Sequence, residues 1–346
     1  MRCGRRQRAH RAGGHLLTGL LCLVFAACRT SPVAIVPCPE GNDILSEISQ
    51  EGALYRIAAD GNLYKVSGDG CELIERYFTP TFEADNYIHT GDTVSIRTPE
   101  GRFPTRSTFT ESFESYTHFT DLFLRGIGDT GKIWNAMTLQ SPLAQTVADY
   151  VALSHCLVEG TCAFRDNRID LVDDPAGSAK HVLKFTAVAP SAGMVTSKAS
   201  IESTIGYFAK GDELWYEARY YFTDTFPYGI ADFESQWFEQ SPGPRIVFDN
   251  GALAIENKFG NKGTFRQTRR VPVPRDEWVT IKLHIAFDES AGVYELWQDG
   301  VLLLAATAPT LPLSIAIQTN TEVGITATDG ACVLYVDDVR LSKTPF

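Results

Sequence analysis

Alternation of apolar and polar positions dominates the chain from residue 181 to residue 341. Short segments alternate at a period of two, and turns such as Asn250-Gly251 and Asp299-Gly300 separate them. Because successive side chains of a strand point to opposite faces, this pattern predicts strands with one apolar face. More than ten such segments, with a single helical one, predict an all-β fold built as a two-sheet β-sandwich.

The stretch from Asp212 to Gly260 predicts four consecutive strands whose second face is unusual. That face carries charged, amide and aromatic side chains, namely Trp215, Glu217, Arg219, Tyr221, Asp232, Glu234, Gln236, Phe238, Arg245, Asp249, Glu256 and Lys258. One interpretation is the solvated outer face of a sandwich. The other is a groove for a polar, ring-shaped ligand such as a sugar.

Two further patterns lie before this region. Residues 141–154 predict a helix with Ser141 as N-cap and Pro142 in the first turn. Its shared face would contain Leu143, Val147, Tyr150 and Val151. Residues 53–70 repeat at a period of nine, and each copy ends in Asp-Gly, which predicts hairpins in a small β appendage.

The first 28 residues predict a signal peptide. Five arginines precede the apolar segment Leu16–Ala27, and Phe25-Ala26-Ala27-Cys28 resembles a bacterial lipobox. This resemblance implies lipidation of Cys28 and export to the outer membrane, the cell surface or the periplasm. We therefore expect a signal peptide at 1–28, a tether with β-hairpins at 29–105 and the main domain at 106–346.

Charge and cysteine content agree with export. The chain has a net charge of −11. Without the five leader arginines, 26 basic residues face 42 acidic ones, a charge of about −16 that argues against nucleic-acid binding. In an oxidising compartment we expect the disulfides Cys38–Cys71 and Cys156–Cys162 and a buried, free Cys332. No cysteine or histidine spacing predicts a metal site.

Several segments together resemble the concanavalin-A-like jelly-roll family, and within it the polysaccharide lyases of the heparin, alginate and glucuronan type. They are Gly211–Arg219, Ser235–Phe238, Glu277-Trp278, Gly292–Gly300 and Leu334–Leu341. The resemblance covers residues 106–346. It implies a jelly-roll sandwich that cleaves an acidic, uronate-containing polysaccharide by β-elimination. Such folds often carry a structural calcium ion, for which the sequence shows no ligand set; no other cofactor is implied.

A uronate lyase must neutralise the sugar carboxylate, remove the C5 proton and protonate the leaving oxygen. The resemblance aligns Gln236 with the family's Gln-x-His strand, in which Phe238 replaces the histidine, and aligns Glu202 with the acid of an upstream strand. We expect Gln236, Arg219 and Glu202 to neutralise and Tyr221 to be the base, with His118 and His284 as further candidates for the base. The expected substrate-binding residues are Lys198, Trp215, Glu217, Glu234, Phe238 and Lys258.

A basic segment favours an acidic substrate. Residues 258–275 contain Lys258, Lys262, Arg266, Arg269, Arg270 and Arg275, although a solvated loop would carry the same charges. Two other functions stay open. A non-catalytic surface lipoprotein would use Trp215, Tyr221 and Phe238 to stack on sugars. A jelly-roll glycoside hydrolase would use the carboxylates of Asp232-Phe233-Glu234.

Overall fold

The structure is a computed structural model in which the chain divides into two units, Met1–Ala34 and Ile35–Phe346. The described residues are 35–41, 44–50, 53–58, 62–68, 70–76, 87–90, 93–98, 101–125, 129, 131–234, 243–258, 263–311 and 316–346. The predicted signal peptide and Cys28 lie outside them. No helix in this described part has the length and apolar character that a membrane crossing needs.

Two small sheets form the N-terminal region. Its strands are β1 (Ile35–Val36), β2 (Ile44–Gln50), β3 (Ala53–Ala58), β4 (Asn62–Ser67), β5 (Gly70–Arg76), β6 (Tyr87–Thr90), β7 (Thr93–Thr98) and β8 (Gly101–Pro104). The orders are β1-β5-β4-β3-β2 and β6-β7-β8. The nine-residue repeat supplies β3 and β4, which pair antiparallel as the Asp-Gly pattern predicts. Cys38 and Cys71 form the expected disulfide.

The main body is an antiparallel jelly-roll sandwich. Its strands are β9 (Phe109–Glu111), β10 (Ala136–Thr138), β11 (Arg168–Asp173), β12 (His181–Ala187), β13 (Ser197–Ser203), β14 (Glu213–Phe222), β15 (Gly229–Glu234), β16 (Pro244–Asp249), β17 (Ala252–Asn257), β18 (Gly263–Phe265), β19 (Trp278–Ala286), β20 (Gly292–Gln298), β21 (Val301–Ala308), β22 (Asn320–Thr328) and β23 (Cys332–Ser342). One sheet has the order β10-β13-β22-β15-β16-β17-β18. The other has the order β11-β12-β23-β14-β19-β20-β21, with β9 paired to β23. The all-β prediction is confirmed.

The apolar faces of the two sheets meet in one core. Tyr216 of β14 packs edge-to-face on Phe233 of β15, with ring centroids 5.1 Å apart. Phe222 packs in the same way on Phe248 of β16 at 5.2 Å. Because these contacts lie between the sheets, the other side chains of β14 point to the outer face of one sheet. The other side chains of β15 and β16 point to the outer face of the opposite sheet. The four strands predicted in a row are therefore divided between two sheets.

The helix begins later than the sequence predicts. Helix α1 spans Val147–Val158, and its N-cap is Thr146, not Ser141. The Thr146 hydroxyl accepts from the Asp149 backbone N–H, and the Asp149 carboxylate accepts from the Thr146 N–H. This capping box satisfies two backbone donors that Ser141 cannot reach. The predicted apolar face is also wrong, because Val147 is 65% exposed.

Only one side of α1 packs against the core. Its buried side chains are Leu153, Ser154 and Leu157. Just beyond the helix, Cys162 forms the expected disulfide with Cys156. Cys332 is free and buried, as predicted. The disulfide therefore ties the C-terminal end of α1 to the loop that follows it.

Candidate active site

A row of charged side chains crosses the seven-stranded sheet on the face that points away from the core. The register places Glu202 opposite Glu322, and Glu322 opposite Asp232. Asp232 also lies opposite Arg245, which in turn lies opposite Glu256. Like charges directly opposite each other destabilise a sheet. The three adjacent acids therefore need compensating charges.

Two lysines supply that compensation. Lys258 Nζ donates to Asp232 Oδ2 at 3.1 Å and to Glu234 Oε1 at 2.8 Å. Lys198 Nζ lies 3.8 Å from Glu322 Oε2. Asp232 has no exposed surface and Glu322 has 2%. Since a buried charge is tolerated only when it is paired, both lysines stabilise this face of the sheet.

Hydroxyl groups orient the same carboxylates. The donor and acceptor pairs are Ser200 with Glu322, Thr138 with Glu202, and Thr326 with Asp232. Each hydroxyl stands on the same or a neighbouring strand, so the register of the sheet sets these contacts as well. The carboxylates are thus held in defined orientations.

Burial and the mixed charges shift the pKa values in opposite directions. Burial, together with the neighbouring carboxylates, raises the pKa of Glu322 to about 8, and burial raises that of Glu202. Burial opposes ionisation of Asp232 too, but nearby cations, Lys258 first, outweigh it and lower its pKa. The carboxylates around Lys198 outweigh its burial and raise its pKa. At neutral pH Glu322 holds a proton, while Asp232 and Lys198 are charged.

A cavity of about 760 Å³ lies over this part of the sheet, and we call it the cleft. Its floor is formed by Lys198, Glu202, Glu234 and Glu322. Its walls are residues 123–125, residues 135–138 and the α1 side chains Tyr150, Val151, Ser154, His155, Val158 and Glu159. The volume falls within the range of ~300–1,000 Å³ usual for ligand pockets. Tyr150 and His155 thus share one cavity with the charged floor.

The structure brings together four of the residues that the sequence predicts for the site. Lys198, Glu202 and Glu234 line the cleft, and Lys258, which directly follows β17, contacts Glu234. Gln236 and Phe238 lie outside the described residues. Their predicted roles stay predictions.

Four other predicted residues do not lie in the cleft. Trp215, Glu217, Arg219 and Tyr221 alternate with the core residues of β14, so they stand on the outer face of the eight-stranded sheet. There Arg219 contacts Asp338 at 3.2 Å. The expectation that Arg219 and Tyr221 share a face with Glu202 is wrong, because the core separates the two outer faces.

The further candidates for the base lie elsewhere too. His284 belongs to β19, stacks on Trp215 at 4.0 Å and bonds Glu295 at 2.8 Å. It lies on the outer face of the eight-stranded sheet, where its partners are a ring and a carboxylate. His118 is exposed and is the N-cap of a short 3-10 helix, Phe119–Leu122. Neither side chain lines the cleft.

Sequence reasoning missed three cleft residues, Glu322, Tyr150 and His155. A signal for Glu322 existed, since Asn320, Glu322 and Thr326 alternate with apolar positions in β22. No pattern indicated that β22 lies between β13 and β15. Tyr150 was assigned to an apolar helix face and was therefore not considered as a site residue.

The basic segment divides into separate contacts. Lys258 belongs to the floor network, whereas Arg266 pairs with Asp249 at 2.6 Å. Arg275 lies over the Phe226 ring, 4.7 Å from its centroid. Residues 259–262 lie outside the described part. Lys258, Arg266 and Arg275 therefore each have a different partner.

Similar structures include an endo-β-1,4-glucuronan lyase from the fungus Trichoderma reesei, at 18% identity over 52% of this chain and 88% of that one, with a TM-score of 0.42. Alginate lyase vAL-1 from Chlorella virus has 10% identity over 55% and 97%, with a TM-score of 0.36. A family 7 alginate lyase in complex with substrate has 10% identity over 62% and 94%, with a TM-score of 0.42.

No curated protein matches the sequence. The polysaccharide lyase family does match, over residues 132–340. This region runs from the wall of the cleft to the last strand of the sandwich and includes all the floor residues. Because the match spans more than half of the chain, the protein belongs to the polysaccharide lyase family.

Proposed function

We propose that this protein cleaves an acidic, uronate-containing polysaccharide by β-elimination in the cleft. The observation that carries the proposal is the presence of a fixed cation, Lys198, and two groups able to transfer protons, Tyr150 and His155, in one cavity. Membership of the polysaccharide lyase family supports it. Elimination needs both kinds of group: one to neutralise the carboxylate and others to move protons.

Lys198 is suited to the neutralising role. Its side chain is 22% exposed and faces Glu322 on the floor. The surrounding carboxylates raise its pKa, so it stays cationic across the physiological range. A uronate carboxylate held against this ammonium group loses much of its negative charge. The C5 hydrogen of the sugar then becomes more acidic, and its removal becomes easier.

The two side chains from α1 complete the reaction. In this proposal, the His155 imidazole takes the C5 proton, and the electron pair of that bond forms the C4–C5 double bond. The C4–O4 bond breaks, and the Tyr150 phenol gives its proton to O4. Burial raises the pKa of Tyr150, which keeps the phenol protonated and ready to donate. Imidazole is the usual general base near neutral pH.

The test is ultraviolet absorbance of residues 31–346 incubated with alginate, glucuronan, heparin and pectate in turn. Elimination leaves an unsaturated uronate that absorbs. We expect absorbance to rise with at least one polymer, and Tyr150→Phe and Lys198→Met to lower the rate about a hundredfold. Glu217→Gln, on the other sheet, is the matched control and should keep the rate. Retention on a polyuronate column without any rise would indicate a binding module instead.

A glycoside hydrolase is the second candidate, favoured by one distance. One oxygen from each of Asp232, Glu234 and Glu322 lies within 4.8 Å of the others. Retaining glycosidases place two carboxyl groups about 5–5.5 Å apart. A hydrolase would release reducing ends without ultraviolet absorbance. Measuring both products on the same polymers separates the two reactions.

We also propose that the protein is an exported bacterial lipoprotein anchored through Cys28. The arginine-rich leader, its apolar segment and the lipobox-like Phe25–Cys28 support this. The two disulfides suit an oxidising compartment. Membrane fractionation of the full chain and of Cys28→Ser is the test. Equal release of both proteins into the soluble fraction would contradict the anchor.

A further inference from the structure

The floor of the cleft carries more negative than positive groups. Asp232, Glu234 and Glu322 lie close together, Glu202 stands opposite Glu322, and Lys198 and Lys258 are the lysines that contact these acids. Arg245 is engaged separately, with its Nε 2.7 Å from Glu256 Oε2. If all four carboxyl groups were ionised, two negative charges would be left over. The cluster can carry them by holding protons or by binding a cation.

Asn320 favours a bound cation. It is 3% exposed, lies directly opposite Glu234 and stands on the same face as Glu322, two residues away. Its Nδ2 donates to Glu202 Oε2 at 3.5 Å, so the amide lies among the carboxyl groups. In the part of the chain that is described, no donor reaches its Oδ1. A buried carbonyl oxygen without a donor is unfavourable, and a cation satisfies it.

We propose that Asp232, Glu234, Glu322 and the Asn320 Oδ1 bind one divalent cation, Ca²⁺, in the floor of the cleft. The three carboxylate oxygens lie within 4.8 Å of one another. A single ion at the calcium–oxygen distance of about 2.4 Å can therefore contact all of them. Calcium takes carboxylate and amide oxygens in flexible geometry, whereas zinc favours nitrogen and sulfur ligands.

The lysines leave room for such an ion. Lys258 donates one hydrogen bond to Asp232 Oδ2 and one to Glu234 Oε1, and Lys198 lies 3.8 Å from Glu322. A carboxylate has about four acceptor positions, so an oxygen that receives one hydrogen bond can still bind a cation. The divalent charge would equal the formal surplus of the cluster.

The cation also has a consequence for the substrate, which rests on the proposed function. A polyuronate that enters an acid-rich cleft is repelled by the floor. A divalent ion among the acids offsets this repulsion and turns the floor into a surface that attracts sugar carboxylates. Removal of the cation by a chelator should then weaken the binding of a polyuronate.

Calorimetry of chelator-treated residues 31–346 titrated with calcium chloride, and separately with magnesium chloride, tests the site. We expect one calcium ion per chain, weaker binding of magnesium and a rise in Tm with calcium. Glu234→Gln and Asn320→Ala should each weaken calcium binding about tenfold or more. Asn320→Asp, which adds a charged ligand, should strengthen it. Glu217→Gln should bind like the wild type.

Absence of binding at millimolar calcium would overturn the site, and so would unchanged affinity in both Glu234→Gln and Asn320→Ala. Circular dichroism of each variant establishes that it folds, and the gain expected for Asn320→Asp does not depend on a damaged fold. The ultraviolet assay separates this inference from the proposed function. Turnover without calcium binding leaves the lyase and removes the cation site. Calcium binding without turnover on any polymer leaves the cation site and removes the lyase.

Discussion

Asp232 and Lys258 form the most enclosed ion pair of the cleft. Asp232 has no exposed side-chain surface, and Lys258 has 14%. Water cannot solvate the carboxylate if the lysine is removed, and the neighbouring Glu234 and Glu322 add repulsion. Removing one partner of this pair should therefore cost more stability than removing one partner of the more exposed pair of Arg168 with Asp170.

Lys258→Met should lower the free energy of unfolding by about 3 kcal/mol, since it leaves a buried charge without a partner. Adding Asp232→Asn should recover part of that loss. Urea unfolding of the single and double variants measures both effects. Arg168→Met is the control and should change stability by about 1 kcal/mol or less, because that pair is exposed. A loss in Lys258→Met no larger than in the control would contradict the role of the pair.

Asp337, on the eight-stranded sheet, should make the stability of the protein depend on pH. It is 1% exposed, and burial, together with Asp338, raises its pKa to about 6 from an ordinary value of 3.8. The folded state therefore binds this proton more tightly than the unfolded state does. Stability from this group is complete below pH 3.8 and is lost as the pH rises to about 6.

Asp337→Asn should remove this loss of stability, which amounts to at most about 3 kcal/mol between pH 3.8 and about pH 6. Urea unfolding at a series of pH values between 4 and 7 is the measurement. The wild type should become less stable as the pH rises to about 6, and the variant should show a flatter profile. The exposed Asp170→Asn serves as control. Parallel profiles for Asp337→Asn and the wild type would exclude Asp337 as the source.

At the scale of elements, α1 decides what can happen in the cleft. The seven-stranded sheet supplies the charged floor, but Tyr150 and His155 both come from the helix. The capping box at Thr146 holds one end of α1, and the Cys156–Cys162 disulfide holds the other. The helix keeps few buried side chains, so these two restraints matter for its position.

Replacing Cys156 and Cys162 by serine should therefore lower turnover and cost about 2 kcal/mol of stability, as the chain-entropy model gives for a short loop. The matched control replaces Cys38 and Cys71, the disulfide of the five-stranded sheet. That variant should keep its turnover. Rates from the ultraviolet assay and unfolding curves provide both readouts. Equal loss of turnover in the two double variants would contradict a specific role for α1.

At the scale of the whole molecule, the sandwich has two outer faces with different chemistry. The seven-stranded sheet carries the buried acids and lysines of the cleft. The eight-stranded sheet carries stacked rings and exposed pairs, among them Trp215 on His284 and Arg219 over Trp278. A sandwich core about 10 Å thick separates them. One face can therefore bind substrate without the other.

This separation predicts which substitutions matter. Arg219→Gln and Tyr221→Phe should leave turnover within about threefold of the wild type, whereas Lys198→Met should lower it about a hundredfold. Steady-state rates by ultraviolet absorbance compare them. If Arg219→Gln were as damaging as Lys198→Met, the active site would have to include the eight-stranded sheet.

Local sequence determined much of the architecture. Alternation identified the strands, and Asp-Gly turns marked the hairpin of β3 and β4. Both disulfides were predicted from the cysteine count and the expected compartment. The helix was predicted, but its start was not, because Ser141-Pro142 and Thr146 with Asp149 are both acceptable N-terminal signals. Only the reciprocal hydrogen bonds at Thr146 decide between them.

The composition of the site depended on tertiary structure. The alternation shows that Arg219 and Glu234 each point away from the apolar face of their own strand. The pattern would be the same whichever of the two sheets the strand joined. Which sheet a strand joins depends on pairing between distant segments, such as β22 between β13 and β15. That pairing places Glu322 between Glu202 and Asp232, although Glu322 lies 120 positions from Glu202 and 90 positions from Asp232 along the chain. The sequence by itself determined the strands and their faces. Only long-range pairing and core packing decided which faces meet, because a period of two carries no information about partners.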